Sequence, residues 1–132
     1  MRLLVCGSRH WDDEDTIYRV LDDLTAGHVD VVVIEGEAPG ADTMARSWAA
    51  GRGVPFDPYP ADWDGARARG DYRKAGPERN QRMLDEGHPT LVVAFPLGDS
   101  RGTWDMVRRA QRAGVPVRIY DHRSHQTYEA KA

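Results

Sequence analysis

Cysteine is nearly missing from this chain: Cys6 stands alone among 132 residues. No disulfide framework can form, and a reducing environment suits the chain. Because Cys6 lies in an apolar run, it reads as a buried structural thiol and not a reactive one. Long hydrophobic stretches are missing as well. Spanning a membrane takes about 18 consecutive apolar residues and none occur, while the apolar part of the opening MRLLVCGSR is too short for a signal peptide. The expectation is a soluble, cytoplasmic protein with no membrane partner. Lysine is scarce, since Lys74 and Lys131 are two of 18 basic residues and leave 16 arginines. A GC-rich coding genome explains that bias more simply than phosphate recognition does, so weight falls on individual arginines and not on their number. The net charge of −3 argues against a protein that coats nucleic acid through bulk electrostatics.

Several motifs are also lacking. There is no P-loop lysine, no dinucleotide GxGxxG and no GxSxG elbow. Ser8 has no evident histidine base although His10 is close, which argues against a nucleophilic serine. His122 and His125 have HxxH spacing in a polar stretch with no third ligand nearby, so they read as surface residues, and neither metal nor cofactor is expected. No internal repeat occurs.

What the chain does have is a regular alternation of strand and helix. Residues 2–6 (RLLVC), 29–35, 55–59, 91–95 (LVVAF) and 115–120 read as strands. The stretch VVVIEG is β-branched and apolar on both faces, as a strand buried between two helical layers must be. Asp12 or Asp13 can cap a helix to about residue 26, with Ile17, Val20, Leu21 and Leu24 on its inner face. Further helices are expected at 41–52, 78–86 after Pro77, and 103–113. Residues 60–76 are the one long irregular stretch, either a lid or a solvated loop with a helical turn. Trp63 and Trp104 read as core or lid residues. The order predicts one α/β domain over residues 1–120, with three layers, a five-stranded parallel sheet of order 3-2-1-4-5, and a polar, frayed tail at 121–132.

In such a sheet ligands bind beyond the carboxyl ends of the strands, where the strand order reverses. Three polar turns open there: Gly7-Ser8-Arg9, the segment from Gly36 through Glu37 and Gly40 to Ala41 and Asp42, and the segment Ser100-Arg101-Gly102-Thr103. Small residues expose backbone N–H groups beside hydroxyls or guanidinium groups, a combination suited to phosphate. Any doubly wound fold needs glycine-rich turns at those places, so no one of them is decisive alone.

The combination of GSR, GEAPGAD, ADW followed by AGPERNQRM, and SRGTWDM resembles the SLOG superfamily, most closely its YspA-like, YpsA-related branch, over residues 2–120. The resemblance implies a Rossmann-like fold and a nucleotide or nucleotide-derived ligand. Among relatives, the LOG phosphoribohydrolases cut the N-glycosidic bond of nucleoside monophosphates. Their RKxxM motif matches Arg79-Asn80-Gln81-Arg82-Met83, which gives Arg79 a catalytic or binding role and Asn80 a place beside it. Their PGGxGTxxE motif matches at Gly102 and Thr103, but its glutamate falls on Met106. Breaking the glycosidic bond needs a carboxylate near the sugar. Asp105 is turned by about 100° from the required position on the helix, and Glu35, Glu37 and Asp42 are the other acids at hand, Glu35 being the catalytic candidate. The resemblance thus implies ligand binding first, N-glycosidic hydrolysis second and, from DNA-processing members, single-stranded DNA binding third. It also implies a homodimer through helices on the sheet face, to which Met44, Trp48, Met83 and Leu84 would contribute.

Overall fold

A computed structural model describes residues 1–98, 100–121 and 126–130. In chain order its elements are β1 (Arg2–Gly7), α1 (Glu14–Thr25), β2 (Val32–Glu35), α2 (Ala41–Gly51), β3 (Phe56–Pro58), α3 (Trp63–Arg69), a 3₁₀ turn (Tyr72–Lys74), α4 (Ala75–Asp85), β4 (Leu91–Phe95), α5 (Arg101–Arg112), β5 (Val117–Asp121) and β6 (Gln126–Ala130). The sheet order is β3-β2-β1-β4-β5-β6. The first five strands are parallel, in the order 3-2-1-4-5 expected from the alternation. β6 then pairs antiparallel to β5, so residues 126–130 form a strand where a frayed tail was expected. His122 and His125 lie outside the described residues.

Alternation along the strands builds two cores. Leu3, Val5 and Val33 face α1 and α2, where they meet Ile17, Leu21, Ala45 and Trp48. Leu4, Cys6, Ile34, Val92 and Ala94 face α4 and α5, against Met83, Leu84, Met106 and Ala110. This corrects the expected dimer surface. Trp48, Met83 and Leu84 are buried within the chain's own core and are not available to a second copy, while Met44 packs, partly buried, on the same side as Trp48.

Local chemistry fixes the element ends. Asp13 caps α1 by accepting from the Thr16 amide at 3.1 Å. β2 starts at Val32, three residues later than its apolar pattern suggests, because Asp30 adopts a φ of 32° and Val29 stands 81% exposed. The stretch expected to be irregular is helical instead: Asp62 caps α3 through the Gly65 amide at 3.0 Å, and Gly70 ends it in the left-handed region at φ 79°. Trp63 sits on that helix, exposed, and is not a core residue.

Candidate functional site

Strand register brings the three polar turns to one edge. Gly7 pairs with Phe95 across β1 and β4, while Glu35 pairs with Pro58 across β2 and β3, so the carboxyl ends align beside the β1–β4 switch. The first two turns interlock. Ser8 donates its amide to the Phe95 carbonyl at 2.9 Å, and its own carbonyl accepts from the Ala41 amide at 3.3 Å. Its hydroxyl accepts from the His10 amide at 3.0 Å, an assignment that braces the turn. Gly40 has φ 80° and ψ −125°, and a Cβ there would overlap the Ser8 carbonyl oxygen, so only glycine lets α2 start against the β1 turn. Arg9 is exposed at the end of β1.

The second turn is built on acids. Glu35 is fully buried, and its Oε1 accepts from Arg46 Nη2 at 2.7 Å and Nε at 3.2 Å. Its Oε2 accepts from the Glu37 amide, and Glu37, in the left-handed region at φ 59°, also takes a bond from Arg46. Glu35 is therefore held inside the turn, with both oxygens engaged. Asp42, in the first turn of α2, is only 5% exposed, and its Oδ2 accepts from the amides of Gly36 at 3.0 Å and Ala38 at 3.3 Å. Burial pushes its carboxyl up to about 7, with a smaller push from Glu35, against the pull of Arg79 and the two amides. Burial also raises the Cys6 thiol, assisted by Asp42 and opposed by Arg79. The thiol is thus neutral, as its sequence position suggests.

Arg79 crosses from α4 to this turn. Its Nη1 donates to the Gly36 carbonyl at 2.6 Å, so close that a Cβ on Gly36 would overlap the guanidinium. Its Nε donates to Asn80 Oδ1 at 3.0 Å. Asn80 is buried and carries the link onward, its Nδ2 donating to the Gly102 carbonyl at 3.2 Å and to Asp105 Oδ2 at 3.0 Å. Asp105 in turn accepts from Arg109 Nε at 2.8 Å, and Arg109 Nη1 donates to Gln81 Oε1 at 2.9 Å. Asp105 belongs to this relay. In the third turn the Ser100 and Thr103 hydroxyls bond each other at 2.8 Å, and space beside Gly102 is open. Asp13 and Asp62 cap α1 and α3, whereas α2 and α5 start without a side-chain cap and leave first-turn amides facing the edge.

The electrostatic result is lopsided. Glu35, Glu37 and Asp105 are each paired with an arginine. Arg79 is held only by neutral oxygens, and neither it nor Arg9 or Arg101 has a carboxylate within ion-pair distance among the described residues. Among the described residues, positive charge without an ion-pair partner is thus concentrated where the uncapped helices begin. A shallow depression at the opposite, amino edge, lined by Met1, Leu24, His28, Leu91, Pro116, Val117 and Arg118, contains none of these residues. Sequence reasoning missed Arg46 and Arg109. The signal for Arg109 was helical spacing, four residues after Asp105; Arg46 gave none, because its acids Glu35 and Glu37 lie eleven and nine residues before it.

A five-strand parallel core flanked by helices, with three polar turns gathered at its switch edge, defines a Rossmann-like α/β domain. The profile of the YspA, cpYpsA-related SLOG family (YAcAr) matches residues 1–65. The Gene 61 protein of Mycobacterium phage D29 is 41% identical over 122 residues, covering 88% of this chain and 93% of that one. The chain belongs to this SLOG family. Among solved structures, DNA processing protein A (DprA) from Streptococcus pneumoniae superposes with a TM-score of 0.70 at 20% identity, over 89% of this chain and 49% of that one. This chain spans about half the length of DprA, and the likeness is one of fold. Among the described residues no helix is long and apolar enough to cross a membrane.

Proposed function

We propose that the chain binds a nucleotide or nucleotide-derived ligand at the carboxyl edge, with the phosphate between Arg79 and the first turn of α5. The observation that carries this reading is Arg79, a half-buried guanidinium fixed by two neutral acceptors, with Asp42 near enough to feel its charge but, among the described residues, no carboxylate within ion-pair distance and Nη2 unbonded. A cation oriented in that way is completed by an anion, and a phosphate accepts from a guanidinium and from helix N-terminal amides together. Gly102, Thr103 and Arg101 supply the second wall, Ser8, Arg9 and Gly40 the third, and membership of the SLOG family supports the same ligand class. A thermal-shift and calorimetric panel of AMP, GMP, CMP, UMP, ADP-ribose, NAD and ribose 5-phosphate tests it. One or more should bind, and Arg79→Ala should weaken that binding by more than tenfold without unfolding the chain. Absence of binding by the whole panel sinks the reading.

A second reading is supported by Asp42. A carboxyl raised to about 7 beside the crevice is of the kind that serves as a general acid near neutral pH, and it replaces the glutamate lost at Met106 better than the paired Glu35 does. Water would add to C1′ of a nucleoside monophosphate as the C1′–N bond breaks, the proton of Asp42 would go to the leaving base, and the proton shed by the water would restore the Asp42 carboxyl through solvent. Free base and ribose 5-phosphate are the expected products, lost in Asp42→Asn; no release from any monophosphate removes the enzyme. The fold likeness to a DNA processing protein makes single-stranded DNA the competing occupant. A net charge of −3 speaks only about bulk attraction, whereas Arg9, Arg79 and Arg101, with no ion pair among the described residues, are local, and a gel shift at moderate salt decides.

A further inference from the structure

Among the described residues exposed large hydrophobic side chains are few, and two of the four, Trp63 at 43% and Tyr72 at 45%, face each other in one short segment. Their ring centroids are 5.1 Å apart with planes tilted by 42°, so the pair leaves aromatic surface open to solvent. Arg67 lies 5.1 Å from the Tyr72 ring and has no ion pair among the described residues; the same holds for exposed Arg73 and Lys74. Asp62, Asp71 and Glu78, the acids nearest these rings in sequence apart from exposed Asp64, all lie within 4 Å of Arg69. Aromatic faces among cations that have no ion pair among the described residues, Arg67 lying over the Tyr72 ring, match a flat, electron-rich, anionic molecule better than an apolar protein surface.

The position of the pair gives it a role. Trp63 Cη2 sits 3.6 Å from where a Cβ on Gly76 would be, in the first turn of α4. Gly76 and Arg79 are three residues apart on that helix, hence on one face and about 4.5 Å apart along the axis, roughly the span of a ribose. Asn80 on the next position already couples Arg79 to Gly102. Contacts thus link the Gly102 turn, through buried Asn80 and Arg79, to the helical turn against which the Trp63 ring lies.

We infer that Trp63 and Tyr72 form the platform on which the nucleobase of a free nucleoside 5′-monophosphate stacks, with its phosphate at Arg79 and its ribose between the two. This assignment rests on the nucleotide reading of the site and adds what that reading leaves open, namely that the base itself is bound. Stacking on an aromatic side chain supplies about a tenfold to hundredfold gain in affinity per base. The test compares wild type with Trp63→Leu and Trp63→Phe by calorimetry against AMP, GMP, CMP and UMP, ribose 5-phosphate and a ten-residue oligodeoxyadenylate. At least one monophosphate should bind wild type better than ribose 5-phosphate, bind Trp63→Leu at least tenfold more weakly, and recover to within a few-fold in Trp63→Phe. Ribose 5-phosphate should bind wild type and Trp63→Leu alike. Equal affinity of Trp63→Leu and wild type for every monophosphate overturns the platform while leaving the phosphate site standing. No binding of any probe to wild type overturns both. Oligodeoxyadenylate binding more than tenfold tighter than AMP assigns the aromatic pair to a single strand and overturns the mononucleotide.

Discussion

Replacing Asp42 by Asn should change how stability depends on pH, and the size of the change follows from the turn it braces. Asp42 is buried, accepts two amides from the β2 turn and titrates near 7 in place of its ordinary 3.8. The groups facing it are Cys6, Glu35 and Arg79. A folded pKa above the unfolded one means that the native state binds the proton more tightly, so the contribution is fully present below about pH 4 and is lost as pH rises through about 7. Between pH 5 and pH 8 the linkage amounts to about two pH units, or about 3 kcal/mol at 1.36 kcal/mol per unit. Asparagine keeps an oxygen for the Gly36 and Ala38 amides and cannot ionise. Urea denaturation of both proteins at pH 5, 6, 7 and 8 isolates the effect, because other titrations cancel in the difference. Wild type should lose about 3 kcal/mol relative to Asp42→Asn across that range. A difference flat to within about 0.5 kcal/mol would falsify the buried-carboxylate account.

Other expectations follow from the same geometry. Arg46→Ala leaves Glu35 buried without its ion partner and should destabilise by about 3 kcal/mol, at the low end for a broken buried pair because the Arg46 side chain is 34% exposed; denaturation midpoints measure this. Gly36→Ala pushes the Arg79 guanidinium out of its seat and should lower nucleotide affinity as much as Arg79→Ala does, with calorimetry as the readout. Asn80→Ala cuts the link between Arg79 and Gly102 and should cost about 1–3 kcal/mol of stability together with a drop in phosphate affinity, whereas a drop in stability alone would show that the relay is only structural. Met83→Ala should destabilise by about 2–5 kcal/mol and leave the oligomeric state seen by light scattering unchanged, because that side chain is 2% exposed inside the chain's own core.

Legibility in the sequence divides along the range of the interactions. Leu91–Phe95 appears where its unbroken apolar run places it, since nothing competes with a strand buried on both faces. Asp13 could be named as a cap because capping is local. α3 escaped notice although its signals, Asp62 at the start and Gly70 at the end, are equally local; three glycines within residues 60–76 outweighed them. β6 has no apolar alternation to betray it and forms by backbone pairing with β5. The turns at Gly7, Gly36 and Ser100 were legible as a group because fold rules send them to one edge. What was not legible is which polar groups meet across the site: Glu35 and Arg46 are eleven residues apart, and Asn80 and Gly102 are 22 apart. The same blindness placed Trp48, Met83 and Leu84 on a dimer face, since an amphipathic stripe looks alike whether it meets a sheet or another copy.

β3 settles a matter apart from ligands. It ends the sheet on one side with three residues, and Pro58 has no amide hydrogen to offer an incoming strand, while Pro55 and Pro60 bracket it. Phe56, 41% exposed on this strand, has the Arg46 guanidinium 4.9 Å from its ring. A second copy approaching this border finds a short template, an interrupted row of donors and a cation over the one large apolar side chain. The sheet therefore cannot be extended there from molecule to molecule, and this border resists the edge-to-edge association by which concentrated β-rich chains come out of solution.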